Sequence, residues 1–333
     1  MSEAPRIVPE EYTFAPDATD AWRAHLDARG FCVLRGVVGS EEVAAAVDET
    51  WAWLEGLGSG IDRRDGATWN NDAWPGVLGP GLLLSHGGGH TAAAWRVRAR
   101  PAVVAAFAVV WGTPDLITSM DTLIGWRDPR AAPPGEDWTA RVEGVHCDQN
   151  PYHKRGLACV QGMVPLVDVD PRVGGLGVVP DTHTDAAQEA LRMAYPLAAA
   201  HDDDWVLLNP GDPLAKAEQL VVCRAGDLIL WDSRLLHGGV VGPESRAHGG
   251  GRTGRGGAYR GLVRLAATVT MTPRAWATPE VLEGRRRAAA EGRTLSHWPH
   301  EYRPHGLRAT AGRRIPVREH VPRMLTPEEH RLL

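Results

Sequence analysis

Lysine is nearly missing from this chain: Lys154 and Lys216 are the only two among 333 residues, so arginine carries almost all the positive charge. We read that bias as the mark of a GC-rich, bacterial genome rather than of a function. Neither sign of charge dominates, because a formal net charge of -5 and a pI near 6.3 exert no general pull toward nucleic acid or an anionic membrane. Cysteine is sparse. Cys32, Cys147, Cys159 and Cys223 form neither a paired zinc-type spacing nor the dense framework of a secreted disulfide protein, so a reducing cytoplasm is expected. Long apolar runs are lacking too: the longest, Ala102 to Trp111, falls far short of a bilayer. Met1 to Pro16 holds no basic segment followed by an apolar stretch, so no secretory signal is expected. What remains is 43% hydrophobic and 23% charged, enough apolar material for a large core.

Over the first hundred or so residues apolar positions recur at helical spacing. Asp17 to Arg29 and Glu41 to Leu57 are expected helices, the second capped by Ser40, and Pro101 opens a third over Ala102 to Trp111. Gly30 to Val38 reads as a buried strand. Gly58 to His90, rich in Gly, Asn and Asp and without a period, reads as a long loop and a candidate active-site wall. From about Leu116 the texture changes to short β-like runs between turn residues: Ile117 to Trp126, Arg141 to Asp148, Leu157 to Val169, Gly177 to Pro180, Gln219 to Trp231 and Gly261 to Met271. Many short strands predict a sandwich or barrel. Past Thr272 a helix returns, with Thr278 capping Pro279 to Glu291, and a Pro- and Arg-rich tail follows. The expected organisation is one domain over 1–333, with a helical N-terminal elaboration (1–115), a β core (116–275) and a C-terminal helix and tail (276–333).

Two motifs are set aside. Gly249, Gly251 and Gly254 have the spacing of a dinucleotide fingerprint, but glycine and arginine follow them instead of a helix. His86-Gly87-Gly88-Gly89 is similar to an esterase oxyanion loop, yet no serine stands between glycines two residues away on each side.

A His-x-Asp pair on a strand puts both side chains on one face, since strand side chains alternate. Adding a distant histidine gives the two-imidazole, one-carboxylate set of a non-haem iron site with open positions. The pair occurs three times, at His146-Cys147-Asp148, His183-Thr184-Asp185 and His201-Asp202-Asp203. His201 sits in a polar, acidic stretch where a solvated loop is expected, and His183 follows a strand exit where a turn or capping role is expected. Only His146 ends a β-like run and precedes another at a short interval. Downstream, Gly226-Asp227 launches an apolar strand through Trp231, and His237 follows after a short connection, at the start of a possible antiparallel neighbour. His237 is the candidate for the distant ligand.

Taken together these segments resemble the phytanoyl-CoA dioxygenase-like family. The matching pieces are Val145-His146-Cys147-Asp148-Gln149, Gly174-Gly175-Leu176 leading to Pro180-Asp181-Thr182-His183, Trp231-Asp232-Ser233-Arg234 before His237, and Gly30 to Gly36 at the front. Order and spacing agree over roughly Asp17 to Arg274. Asp181 departs from the pattern, standing in a turn where members usually carry glycine.

The resemblance implies a double-stranded β-helix, a jelly-roll or cupin-like barrel with flanking helices, and iron(II) with 2-oxoglutarate as cofactors. It implies metal ligation by His146, Asp148 and His237, and a basic residue after the distal histidine to clamp the far carboxylate of 2-oxoglutarate. Arginine suits that task through its planar fork. Arg264, expected to share a strand face with Leu262, Ala266 and Thr268, is the choice, with Arg260 in reserve. Arg246, Arg252 and Arg255 are expected to decorate an inserted loop over His248 to Gly257. Gln161, and with it Gln149, is a candidate to orient a ligand or bond 2-oxoglutarate, and Trp231 and Asp232 to support His237. The implied reaction oxidises a small-molecule substrate, with dioxygen and 2-oxoglutarate converted to succinate and carbon dioxide. Intact Asp148 disfavours halogenation, since related halogenases replace that carboxylate. The rival readings are a cupin-like metalloenzyme that never uses 2-oxoglutarate and a non-catalytic binding member of the fold. A small-molecule intermediate of secondary metabolism is the expected substrate, with no nucleic acid and no membrane as partner.

Overall fold

A computed structural model of the chain describes residues 5–76, 79–246, 262–305, 315–316 and 323–333. Period-two alternation builds the centre. The strands are β1 (Thr13–Phe14), β2 (Phe31–Leu34), β3 (Leu116–Thr118), β4 (Leu123–Arg127), β5 (His146–Cys147) and β6 (Val160–Pro165). They continue with β7 (Gly174–Val179), β8 (Val206–Leu207), β9 (Gln219–Leu220), β10 (Leu228–Asp232), β11 (Leu236–Val241) and β12 (Leu262–Pro273). β1, β2, β10, β6, β12 and β3 lie side by side, with β4 also on β12, as a seven-stranded sheet, while β8, β5, β11, β7 and β9 form a five-stranded one. Phe31, Val33, Met163, Ile229 and Trp231 from the first sheet pack with Leu176, Val178 and Leu220 from the second. Their alternates, Cys32, Leu34, Val164, Leu228 and Leu230, turn to the opposite face and pack with helical residues Trp22, Leu26, Val47, Trp51 and Phe107. The architecture is the double-stranded β-helix jelly roll with flanking helices.

The helices follow their end signals. Thr19–Arg29 stops at Gly30, whose φ of 83° is the left-handed conformation that glycine adopts without strain. Pro101–Trp111 starts on its proline, and Pro279–Glu291 is capped by the Thr278 hydroxyl accepting from Val281 N–H. Ser40–Gly56 corrects the expected cap: Gly39 is the N-cap, and Glu42 accepts from its N–H at 3.2 Å. Helices Ala92–Arg98 and Asp185–Ala194 were not expected. No helix among the described residues is long and apolar enough to cross a membrane.

Three strand expectations are also corrected. Gln219 to Trp231 divides into β9 and β10, and Arg141 to Asp148 contracts to the two residues of β5, with Gly144 at φ 102° bending the chain just before. Ile117 to Trp126 divides because residues 119–122 oppose only 268–270 of β12, an extra residue that bulges the strand and turns Asp121 toward the interior. A second irregularity between Leu262 and Arg264 puts Leu262 among the helix-facing residues, so Arg264 shares its face with Ala266 and Thr268 but not with Leu262. The glycine/arginine segment over His248 to Gly257, with Arg252 and Arg255, and also Arg260 lie outside the described residues, whereas Arg246 is exposed at the end of a short helix.

Candidate metal centre

β5 and β11 are antiparallel neighbours, and His146 pairs with His237 directly across them. The imidazole centroids stand 4.5 Å apart. Each ring is held by its own strand: Nδ1 of His146 lies 2.8 Å from the Gly144 carbonyl and Nδ1 of His237 lies 2.9 Å from the Leu235 carbonyl. A carbonyl only accepts, so Nδ1 is the donor in both rings, which turns Nε2 of each toward the group as the atom that would bind a metal.

Asp148 follows β5 and closes the group. Its Oδ2 lies 3.3 Å from His237 Nε2 and its Oδ1 lies 3.8 Å from His146 Nε2. Gln161 on β6 donates from Nε2 to Oδ2 at 2.9 Å, which orients the carboxylate. One ligand atom from each of His146, Asp148 and His237 falls within 4.8 Å of the others, and among the described residues this is the group able to hold an ion. Burial opposes ionisation of Asp148, but the attractions of His297, His237 and His146 outweigh it and hold the carboxyl well below its usual range. Burial and the neighbouring His237 lower the pKa of His146; burial would lower His237 as well, but Asp148 wins and raises it. Two imidazoles and one ionised carboxylate, with no thiolate, make a donor set that fits iron(II).

The triad opens into a cavity of about 820 Å³ that also receives Arg264. Arg264 is 7% exposed; its guanidinium contacts Met163 Sδ at 3.7 Å and lies 4.5 Å from the Trp126 ring centre. No carboxylate among the described residues pairs with it, and burial lowers its pKa to about 10. A buried cation without a counter-charge is costly unless a ligand brings one. Since Thr268 pairs with Met163 and Thr270 with Gln161, the guanidinium reaches β6 two residues from the amide that holds Asp148. Arg264 and the triad thus line the same cavity on either side of β6 residues Gln161 and Met163.

Other expected residues fall elsewhere. Gln149 is consumed by its own loop, donating to the carbonyls of Lys154 and Gly156. Asp232 binds Arg234 instead of supporting His237, whereas Trp231 lies against His237 with ring centres 5.5 Å apart. His183 is buried with Nε2 at 3.0 Å from the Asp27 carbonyl, and His201 is exposed. Pro80, Leu82 and Leu84 of the long loop do line the cavity. Sequence reasoning missed Asp121, Trp205, His297 and His305 on its walls, which carry no local pattern.

Behind the His237 strand, Glu218 fills space vacated by two glycines: a Cβ on Gly177 or Gly238 would stand 2.4 or 2.7 Å from its Oε1. That oxygen has no hydrogen-bond partner, and burial, partly offset by His237, raises the carboxyl to about 7. A folded-state pKa above the unfolded one means that stability is fully present below the unfolded value and falls as pH rises through the folded one. Glu218→Gln is therefore expected to melt like the wild type near pH 4.5 and to be more stable at pH 8, by roughly 1–2 kcal/mol after allowance for partial solvation. Thermal melts at the two pH values check this, and an equal shift at both contradicts it.

The sequence profile described as Phytanoyl-CoA dioxygenase matches residues 26–241. A curated relative, "Ava biosynthesis cluster protein O" of Aspergillus versicolor, is 26% identical over 294 residues, 84% of this chain and 86% of that protein. Among solved structures, hypothetical protein JW0805 of Escherichia coli is 15% identical and superposes with a TM-score of 0.53 over 87% of this chain and 79% of that one. HygX of Streptomyces hygroscopicus, solved with nickel and 2-oxoglutarate, is 18% identical, with a TM-score of 0.46 over 76% of this chain and 86% of that one.

Proposed function

We propose a reaction from the premise that this chain belongs to the phytanoyl-CoA dioxygenase family and is therefore an iron(II)- and 2-oxoglutarate-dependent oxygenase. The reaction is oxidation of an unactivated C–H bond of a small molecule, with hydroxylation as the outcome. His146, Asp148 and His237 hold the iron, and Arg264 holds the far carboxylate of 2-oxoglutarate. When bound with dioxygen, iron and 2-oxoglutarate supply an oxidative decarboxylation to succinate and carbon dioxide whose oxidising power is spent on the substrate. The chain's part is binding and orientation. Gln161 fixes Asp148, the two strand carbonyls fix the imidazoles, and Arg264 sets the direction in which the cosubstrate lies. Trp126, Trp205 and Trp298 wall the remaining cavity, which suits a largely apolar substrate. The chain is read as one working unit, since β2 from the N-terminal part pairs with β10 of the core and the C-terminal part adds His297 and His305 to the cavity.

The observation that carries this reading is Arg264, a buried cation that no carboxylate among the described residues pairs with, in the cavity of a two-histidine, one-carboxylate site. The relative from a biosynthesis cluster supports a secondary-metabolic substrate. The test is turnover with candidate intermediates under dioxygen, read by mass spectrometry. Hydroxylation predicts a product heavier by one oxygen atom and one succinate per product; a product lighter by two hydrogens, or of unchanged mass, contradicts it.

A further inference from the structure

One corner of the cavity carries a charge that neither the triad nor Arg264 uses. It is built by the bulge between β3 and β4. Ser119 N–H donates to the Thr270 carbonyl at 2.7 Å and Thr268 N–H to the Thr122 carbonyl at 3.3 Å, so both flanks are tied to β12. The extra residue between them turns the Asp121 side chain, 16% exposed, into the cavity. Bulges beside active sites commonly re-aim a side chain in this way. A hairpin over Thr294 to His305 faces the bulge. Ser296 N–H donates to the Arg303 carbonyl at 2.9 Å, His305 N–H to the Thr294 carbonyl at 3.1 Å, and Leu295 N–H to the Met120 carbonyl at 2.9 Å. The hairpin sets His305 Nε2 3.4 Å from Asp121 Oδ1, within reach of an ion pair but without an aligned hydrogen bond.

Among the described residues no lysine or arginine pairs with the Asp121 carboxylate. The buried Arg98 guanidinium gives its donors to the carbonyls of Gly89, Asp121 and Thr268 instead. Burial works against ionisation of Asp121, yet His305, His297 and Arg98 hold the carboxyl below its usual value, so it is charged at neutral pH. A second polar group looks into the same space. Thr270 is 2% exposed and lines the cavity; its N–H is taken by Ser119 Oγ at 3.1 Å, but its hydroxyl makes no hydrogen bond among the described residues. A buried hydroxyl ordinarily finds a partner. Glu143 and Asp203, both exposed, add negative charge at the cavity rim. The metal site is within reach of this corner. Gln161, which holds Asp148, faces Thr270 across the β6–β12 ladder, and the bulge lies on the other edge of β12. With neighbouring strands about 4.8 Å apart, Asp121 stands roughly 10 Å across the sheet from Gln161, a span that a small molecule bridges.

We propose that Asp121 is a specificity-determining residue that binds a protonated nitrogen of the substrate, with the Thr270 hydroxyl accepting from the same group, so that the substrate is a largely apolar molecule carrying one basic amine. The inference rests on the reading of this cavity as the active site of an oxygenase. A cation is favoured over a neutral hydroxyl because a carboxylate held away from water gains most from a partner of opposite charge, and the bond to it is the stronger, charge-assisted kind. Anchored at Asp121, the apolar body of such a molecule extends along the tryptophan-lined walls toward the triad.

The test equilibrates the full chain, loaded anaerobically with iron(II) and 2-oxoglutarate, with a mixture of matched amines and alcohols, tryptamine with tryptophol and 2-phenylethylamine with 2-phenylethanol among them, and counts the retained compounds by mass spectrometry. Each amine is expected to be retained at least about tenfold over its alcohol. Asp121→Asn, which keeps the shape and removes the charge, is expected to bring that ratio close to one, while iron content and 2-oxoglutarate affinity stay as in the wild type. A wild-type ratio near one, or retention of neither class, overturns the proposal whether or not the variant folds. A folded Asp121→Asn that still prefers the amines overturns it too, because the selectivity then comes from another group. Failure of the wild-type chain to bind iron and 2-oxoglutarate, read before any amine is added, sinks the oxygenase reading itself and is separate from these outcomes.

Discussion

Asparagine at position 148 is expected to leave the site without iron and to lower succinate release by at least about a thousandfold, roughly 4 kcal/mol of lost transition-state stabilisation. The substitution keeps shape and removes only charge. A neutral amide offers one weak oxygen in place of an ionised carboxylate, and its NH2 would compete for the space that Gln161 Nε2 fills at 2.9 Å. Because a neutral side chain is easier to bury than a charged one, Asp148→Asn is expected to fold and melt like the wild type. Iron content after anaerobic reconstitution, with succinate release on the same sample, separates loss of metal from loss of fold. Full iron content and full turnover would remove Asp148 from the site.

Arg264→Met is expected to raise the KM for 2-oxoglutarate by about a hundredfold, near 3 kcal/mol, while iron content stays the same. The loss is large because the pair forms away from water, where a charge-assisted fork has little competition. The variant carries a second signature. The wild-type guanidinium is buried with a sulfur and an indole for company, and its pKa is lowered to about 10. Methionine removes that unpaired charge, so the apo-protein is expected to melt higher by the equivalent of about 1 kcal/mol or more. Weak cosubstrate binding with greater stability is what a ligand-waiting cation predicts. Steady-state kinetics and thermal melts check the two halves, and an unchanged KM would place the far carboxylate at another residue.

What the sequence makes legible follows from local rules. His146 and Asp148 could be paired because strand alternation is a two-residue property, and His237 could be added because a Gly-Asp turn and an apolar strand announce the hairpin that carries it. The Asp181 departure reads correctly as a turn feature, since that residue has a φ of 70°, where glycine is ordinarily favoured. Arg264 was legible as the clamp candidate, but Leu262 was placed on the wrong face because a register shift between them cannot be seen in one strand alone. The two-residue length of β5 was hidden for the same reason: partners far along the chain decide where pairing stops. Ser40 lost the cap to Gly39, where Glu42 supplies the closing hydrogen bond. His297 and Asp121 were illegible. A histidine in a proline-rich tail and an aspartate beside a bulge become cavity residues only through the hairpin that joins Leu295 to Met120.

The central claim is that one iron is shared by His146, Asp148 and His237. Anomalous diffraction at the iron edge, from crystals of the full chain loaded anaerobically with iron(II) and 2-oxoglutarate, tests it most directly. The account predicts a single strong peak within about 2.0–2.2 Å of the two Nε2 atoms and one Asp148 oxygen, with cosubstrate density running toward Arg264. A peak elsewhere, or a peak that one of these three groups does not reach, would contradict it.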